Sequence, residues 1–262
     1  MSKPLGQMDL KALLQHHGFA PIKAQVWSEF ICHALALYWE AVDQLLEANR
    51  WNDFKKKTGA LGKPRKLKGR IVQIPIEDAI TSEIGELAEQ LRQALPAGHF
   101  LRRHDTYFKC EALVASDTRA GRHSKKVDFL VVSQLNPNSP KLAIEAKPVI
   151  TTADIKNRYL AEEGLGCFFS FDSPYTKGPV GAMLAYSIDT GAGTMQSEIS
   201  IALAEHKPEP LHIHRASIPC TGPVDCSHHD RAKWNLAPIT ILHLERCFPL
   251  HLPGTKLAKP TV

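Results

Sequence analysis

The chain has 262 residues, of which 44 % are hydrophobic and 23 % are charged. These proportions exclude an intrinsically disordered, collagen-like or disulfide-scaffold protein, and the length suits one sizeable domain or a core domain with a smaller appendage. There are 32 lysines and arginines against 27 aspartates and glutamates, so the net charge of +5 is only mildly basic.

The sequence carries no signal for membrane insertion or secretion. Its most hydrophobic helical stretch, residues 24–49, is interrupted by acidic residues such as Glu29, Glu40 and Asp43, whereas a spanning helix needs about 20 apolar residues. The N-terminal residues lack an apolar segment with a cleavage site, so we expect no secretory signal. Six cysteines without framework spacing are typical of reduced thiols, and we expect a cytoplasmic protein.

The N-terminal part is predicted to be helical and to end in a basic loop. Apolar residues recur at helical spacing on roughly one face of residues 24–49. Residues 52–70 are rich in lysine and glycine and are the best candidate for a linker or mobile loop. A second helix is predicted from residues 75–77 to Leu95, where a proline and a glycine follow and stop it.

From residue 107 onward the pattern changes to that of strands. Strands are predicted at residues 107–115, 126–133, 141–150, 166–171 and 181–188, a helix at 152–163, and a strand or short helix at 239–248. This order of helices and strands predicts an α/β fold with a mixed central sheet flanked by helices. We expect a boundary between an N-terminal helical region, residues 1–75, and an α/β domain, residues 76–262.

The candidate catalytic residues centre on the tripeptide Glu145-Ala146-Lys147. An acid followed by any residue and a lysine occurs five times in the chain, so the bare pattern carries little weight. Here it lies within an apolar strand, and strand alternation puts Glu145 and Lys147 on one face. Two charges inside a buried strand are costly unless they are paired or bound to something, which is the physical reason to suspect a site.

A second acid, Asp128, opens the preceding strand, 17 residues before Glu145. The two strands are joined by a turn rich in asparagine and proline and can lie side by side. Two carboxylates at one sheet edge repel each other unless a divalent cation lies between them, and oxygen ligands favour Mg²⁺ or Mn²⁺ over zinc. Lys147 could then orient or deprotonate the water that attacks a phosphodiester. The competing interpretation is a structural ion pair.

An acid on a helix, an aspartate at the start of a strand and Glu-x-Lys in the next strand resemble the PD-(D/E)xK nuclease superfamily. The resemblance covers residues 76–190, with an extension to about residue 250. It implies a restriction-endonuclease-like core, which makes residues 76–262 a nuclease-like domain beside the N-terminal helical region. Val127 stands where the family motif often has proline before the aspartate.

The resemblance also implies which residues hold the metal ion. Carried over onto this sequence, the Mg²⁺ or Mn²⁺ ligands are Glu83, Asp128, Glu145 and the main-chain carbonyl of Ala146. Lys147 is the further catalytic residue and assists the attacking water. Several other acids lie on the same predicted helix as Glu83, namely Glu77, Asp78, Glu86 and Glu89. Glu86, one turn away, is the main alternative to Glu83.

The function implied by the resemblance is that of a metal-dependent endonuclease acting on double-stranded DNA. Residues 159–164, Tyr175 and residues 181–189 resemble nucleases of bacterial restriction and phage-defence systems. This likeness implies an antiviral effector that has DNA and other subunits of a defence complex as partners, and no membrane. The alternatives are a catalytically degenerate DNA-binding or scaffolding subunit and an RNA-cleaving toxin. The sequence leaves open whether the chain forms a homo-oligomer.

Clustered positive charge predicts where nucleic acid would bind, because each neutralised phosphate releases counterions. The predicted nucleic-acid-binding residues are Lys55, Lys56, Lys57, Lys63, Arg65, Lys66, Lys68, Arg70, Lys125 and Lys126. We call residues 55–70 the basic segment. Because it has few groups that could read base edges, it is predicted to bind the phosphate backbone of the nucleic acid. The alternative is a solvated loop.

The C-terminal part is rich in histidine and cysteine. By resemblance, His229 and Arg231 are predicted to face the scissile phosphate. The alternative for this part of the chain is a zinc site, with His212, His214, Cys220, Cys226, His228, His229 and Cys247 as the residues that could bind the ion. The spacing between Cys220 and Cys226 is wider than the two-to-four-residue gap of a zinc knuckle, and no second knuckle follows. Ordinary buried thiols are therefore favoured.

Overall fold

The computed structural model describes residues 8–249 except residues 68, 115, 117, 120, 136–138 and 189–193, and leaves out the side chains of Arg65, Arg70 and Arg122. In this part the strands are β1 (Met8–Asp9), β2 (Arg65–Leu67), β3 (Arg70–Val72), β4 (Thr106–Leu113), β5 (Lys126–Ser133), β6 (Lys141–Pro148), β7 (Val180–Ile188), β8 (His212–Ile218), β9 (Gly222–His229) and β10 (Ile239–Phe248). The α-helices are α1 (Leu10–His16), α2 (Pro21–Leu46), α3 (Ala48–Lys56), α4 (Glu77–Ala94), α5 (Phe100–Arg103), α6 (Thr152–Asp154) and α7 (Gln196–Ala204).

Eight of these strands form one mixed sheet in the order β1-β8-β9-β10-β7-β6-β5-β4. The neighbours β6, β7 and β10 run parallel, whereas β4 to β6 and β8 to β10 are joined antiparallel. Strands β2 and β3 form a separate antiparallel hairpin. The predicted α/β fold with a mixed central sheet is confirmed. That its core is restriction-endonuclease-like stays a prediction.

Apolar residues cover both faces of the central strands. Along β6 the neighbouring residues Ala143 and Ile144 belong to two different hydrophobic clusters, as strand alternation requires. The cluster that contains Ile144 also contains the buried faces of α1, α2 and α4, so the N-terminal helices share a core with the sheet. The other cluster contains residues of β10 and α7. A sheet covered on both faces explains why β7 is buried along its whole length.

One predicted element is shorter than expected and one is wrong, and both follow β6. The helix predicted at residues 152–163 is only α6 and a π-helical turn at Ile155–Tyr159. The chain then folds back so tightly that a Cβ at Gly164 would lie 2.3 Å from the carbonyl oxygens of Arg158 and Tyr159. The strand predicted at residues 166–171 is instead a 3₁₀ turn at Leu165–Phe168, because periodicity does not separate a short apolar strand from a short buried helix.

The predicted loop at residues 52–70 also contains regular structure. Helix α3 continues to Lys56, and the hairpin of β2 and β3 follows it. None of the helices in the described part of the chain is both long enough and apolar enough to cross a membrane.

Candidate active site

The pairing of β5 with β6 places Asp128 beside Glu145. The antiparallel register joins Phe129 to Ile144, so the next position along sets the two acids opposite each other. The backbone N–H of Ala146 donates a hydrogen bond to Asp128 Oδ2 over 2.7 Å. A short connection between two antiparallel strands therefore fixes both carboxylates at the same end of the sheet.

The third acid of the cluster is Glu77, the first residue of α4. One oxygen from each of Glu77, Asp128 and Glu145 lies within 4.8 Å of the other two. Carboxylates are stabilised in the first turn of a helix, because the N-terminal end of the helix carries the positive end of its dipole. We refer to these three residues as the carboxylate cluster.

Glu83, which the resemblance named as the helical ligand, lies outside the carboxylate cluster. Its Oε2 is 2.5 Å from the Nζ of Lys57, so it forms a surface ion pair. Six residues of helix separate it from Glu77, about 9 Å along the axis and on a different face. The main alternative, Glu86, lines a shallow surface hollow together with Gly85 and Glu89. The acid of α4 that the structure brings to Asp128 and Glu145 is thus Glu77 and neither Glu83 nor Glu86.

Lys147 connects two members of the carboxylate cluster. Its Nζ lies 2.6 Å from Glu145 Oε1 and 2.8 Å from Glu77 Oε1. The side chain of Lys147 is 13 % exposed and that of Glu145 only 4 %, so this ion-pair network is shielded from solvent. Arg158, from the π-helical turn, lies 3.6 Å from the second oxygen of Glu77. No sequence motif singles out this arginine.

Burial changes the pKa values of the ionisable residues of the site. It raises the pKa of Glu145 from 4.5 to about 8, with the nearby charge of Asp128 as the second cause. It also raises the pKa of Asp128 from 3.8 to about 6, although the charge of Lys147 opposes the shift. For Lys147 burial lowers the pKa, but the carboxylates of Glu145, Glu77 and Asp128 outweigh it and raise the pKa overall. Glu145 and Asp128 are held back from ionising while the lysine stays protonated.

The donor set fits a hard divalent cation. Oε2 of Glu145 is buried and has no hydrogen-bond partner in the described part of the chain. A buried carboxylate oxygen without a donor costs stability unless something positive approaches it. Carboxylate oxygens are the ligands that Mg²⁺ and Mn²⁺ prefer. Ala146 is buried, and its main-chain carbonyl stays a predicted ligand.

Comparisons with protein families, with curated proteins and with solved structures find no match. The chemistry of the site must therefore be inferred from its own geometry.

The two residues predicted to face the scissile phosphate lie in the interior. Arg231 is fully buried and donates to four main-chain carbonyls, those of Ala237, Phe168, Thr176 and Gly178, at 2.8 to 3.2 Å. His229 is 1 % exposed and its Nε2 lies 2.7 Å from the hydroxyl of Ser227. Burial lowers the pKa of His229 to about 3, so the ring is neutral. The structure corrects both residues to supports of the fold, because neither reaches the surface.

The predicted nucleic-acid-binding lysines differ in their surroundings. Lys56 pairs with Asp53 over 2.8 Å and Lys126 pairs with Glu111 over 2.6 Å, all near the surface. Exposed lysines of the basic segment are Lys56, Lys57, Lys63 and Lys66, whereas Lys55 and Lys125 are half-buried. Lys68 and the side chains of Arg65 and Arg70 lie outside the described part. DNA contact by any of these residues stays a prediction.

Proposed function

We propose that this protein is a metal-dependent nuclease that hydrolyses phosphodiester bonds of double-stranded DNA. The observation that carries the proposal is the carboxylate cluster, with oxygens of three acids within 4.8 Å of one another and a buried lysine bonded to two of them. Three buried or half-buried acids here face one lysine and one arginine, so ionising all three leaves the cluster with one negative charge in excess. A bound cation would offset the cost of ionising the third acid, which favours a cation as the missing partner.

The roles of the residues follow from the contacts. Glu77, Asp128 and Glu145 would hold Mg²⁺, which supplies positive charge to the phosphate as its own negative charge builds up. Lys147 stays an ammonium group, with two protons directed at Glu145 and Glu77 and one left over. That third proton can hydrogen-bond to a phosphate oxygen or to the attacking water. Of the two roles expected for Lys147, orientation is therefore favoured over proton abstraction.

The basic segment leads directly into the helix that carries Glu77. The N–H of Ile76 donates to the carbonyl of Ala60 over 2.9 Å, and Leu61 forms a bridge with Pro75. The ion pair between Lys57 and Glu83 attaches the end of α3 to the side of α4. Positive charge thus flanks the carboxylate cluster within about two helical turns. A polyanion bound along this segment would lie close to the cluster, which supports a nucleic acid as substrate.

The proposal extends to the effector of a bacterial anti-phage defence system, acting in the cytoplasm with other subunits. This extension rests on the likeness of sequence alone. The two alternative functions make different predictions with the same reagents, because a degenerate nuclease would bind DNA without cleaving it and an RNA-cleaving toxin would leave DNA intact.

Incubation of the full chain with supercoiled plasmid and with linear RNA, in Mg²⁺, Mn²⁺ or EDTA, tests the proposal. We expect nicking or linearisation of the plasmid in Mg²⁺ or Mn²⁺ and none in EDTA. Asp128→Asn and Glu77→Gln should abolish cleavage. Glu83→Gln is the matched control, because it removes a carboxylate from the same helix outside the cluster, and it should cleave nearly as wild type does.

Four results would contradict the proposal. Full activity in EDTA would remove the metal ion from the reaction. Loss of activity in Glu83→Gln with retention in Glu77→Gln would move the helical ligand back to Glu83. Binding of DNA without cleavage under any metal condition would favour the degenerate subunit. Cleavage confined to RNA would favour the toxin.

A further inference from the structure

Five histidines meet at the edge of the sheet opposite β4, far from the carboxylate cluster in the strand order. Alternation along β8 puts His212 and His214 on one face, and the antiparallel register sets His228 of β9 opposite His212. Helix α1 contacts β8, and its C-terminal end brings His16 and His17 against the same rings. We call these five residues the histidine cluster. The zinc alternative raised by the sequence omits the two residues at the end of α1, which only the fold brings to this place.

The ring centroids of four of these residues are close enough together for a tetrahedral metal ion, but their nitrogens would have to turn inward to bind it, because in the described part of the chain only the carboxylate cluster has three ligand atoms within 4.8 Å of one another. The ring centroids of His16, His17, His212 and His214 lie 4.9 to 6.5 Å apart in all six pairs. Four imidazoles around one zinc ion would have centroids about 5.2 Å apart, since the Zn–N bond is about 2.0–2.1 Å long. The observed distances bracket this value. His16 and His212 are exposed, so their rings are free to turn toward a common ion.

Buried ring nitrogens without partners point to a ligand. His214 is only 6 % exposed, yet neither of its ring nitrogens has a hydrogen-bond partner in the described part of the chain. The buried Nε2 of His17 lacks one as well. Leaving such groups unpaired costs free energy, and these three nitrogens lie within one small cluster.

The outer contacts of His17 match those of a metal ligand. Its Nδ1 lies 2.8 Å from the hydroxyl of Thr240, which leaves the lone pair of Nε2 available to bind a metal ion. A histidine that binds a metal commonly has its second ring nitrogen fixed by a polar group in this way. His228 stacks on His17 at 4.1 Å and approaches the same hydroxyl at 3.2 Å. Thr240 and His228 together hold the ring of His17 in place.

We infer that His16, His17, His212 and His214 form a zinc site that joins α1 to β8, the strand next to β1 at this edge of the sheet. Four imidazole ligands select a borderline ion such as Zn²⁺ over Mg²⁺. The exposed rings of His16 and His212 provide the route of entry, and the half-buried His17 and the buried His214 provide the fixed half of the site. A site closed by four protein ligands is structural. It is independent of the proposed nuclease activity, because it shares no residue with the carboxylate cluster.

Zinc titration of the full, untagged chain tests this inference. The measurements use an Asp128→Asn/Glu145→Gln background, so that the carboxylate cluster cannot supply the binding. We expect one equivalent of Zn²⁺ by calorimetry, a rise in Tm of at least about 5 °C in excess Zn²⁺, and no such rise with Mg²⁺. Co²⁺ should give the visible absorption of a four-coordinate ion without a thiolate charge-transfer band.

Two variants distinguish this site from adventitious binding. In His16→Ala/His212→Ala, which removes only exposed rings, the affinity for Zn²⁺ should fall at least about 100-fold while the Tm in EDTA stays near that of the parent. The matched control is His123→Ala, an exposed histidine near the opposite edge of the sheet, and it should bind as the parent does. Unchanged binding in the double variant, absence of a Tm rise, or a thiolate band from Co²⁺ would overturn the inference.

Discussion

Replacing Glu145 by glutamine should stabilise the metal-free protein, and the gain should grow with pH. The pKa of Glu145 is about 8 in the folded protein against an ordinary value of 4.5, so the folded state binds this proton more tightly than the unfolded state does. Its contribution to stability is complete below about pH 4.5 and is lost as the pH rises to about 8. Glutamine resembles the protonated acid at every pH and avoids this loss.

The magnitude follows from the size of the shift. Each pKa unit is worth about 1.4 kcal/mol. Relative to low pH, the shift at Glu145 therefore lowers the free energy of unfolding by about 4 kcal/mol at pH 8 and by about 1 kcal/mol at pH 5. Glutamine gives up the charged contact with Lys147, which offsets part of the gain. We therefore expect Glu145→Gln to raise the free energy of unfolding by about 2 kcal/mol or more at pH 8, or Tm by on the order of 5 °C.

Thermal unfolding in EDTA at pH 5 and pH 8 measures this effect. Glu83→Gln serves as the control, because its ion pair with Lys57 is partly exposed and should be worth less than about 1 kcal/mol. Addition of Mg²⁺ should reverse the order, since only wild type gains the full stabilisation from binding. A variant less stable than wild type in EDTA at pH 8, or a gain that does not change with pH, would show that burial of this carboxylate is not costly.

Three further predictions concern other residues. Lys147→Ala should slow single-turnover cleavage by about 10²–10⁴-fold, and Lys147→Arg should not restore it, because a guanidinium does not fit the same contacts; near-wild-type rates would indicate a structural ion pair. Neutralising Lys55, Lys56 and Lys57 together should weaken DNA binding equally for all sequences and flatten the log–log salt dependence by about 0.9 for each phosphate that is no longer neutralised, and an unchanged slope would indicate a solvated segment. Arg231→Met should lower the free energy of unfolding by about 3–5 kcal/mol, because four carbonyls lose their donor. The exposed Arg215→Met is its control in chemical denaturation, and an equal effect of the two would contradict the role of Arg231.

The elements that the sequence predicts best are those with a long, uninterrupted pattern. The predicted strand at residues 126–133 has the observed bounds, and the predicted helix ending at Leu95 ends one residue earlier as α4. The segments that were predicted wrongly lie where the chain turns sharply, as at Gly164. Those that were not predicted include the polar-rich hairpin of β8 and β9, where alternation is weak. Tertiary packing determines the secondary structure of these segments, and it produces no periodic pattern in the sequence.

The residues of the site differ in the same way in how well the sequence predicts them. Asp128, Glu145 and Lys147 could be found because strand alternation and a short turn connect them within 20 residues of sequence. Glu77 could not be chosen among five helical acids, because the choice depends on how α4 is seated against the sheet. His229 and Arg231 were wrongly predicted to face the phosphate because that prediction rested on resemblance alone, which carries no information on their burial.

The two clusters share one physical property. Many buried polar groups elsewhere in the fold are satisfied, as the four carbonyls around Arg231 show. At the carboxylate cluster Glu145 Oε2 is left unpaired, and at the histidine cluster both nitrogens of His214 are. Unpaired polar atoms also occur outside the two clusters, for example Glu245 Oε2 and His229 Nδ1, and each of them costs stability. In the two clusters they lie among the side chains that we propose as metal ligands. The unpaired atom is a carboxylate oxygen in the first cluster and the unpaired atoms are imidazole nitrogens in the second, which is why we propose a hard ion such as Mg²⁺ for the first and Zn²⁺ for the second.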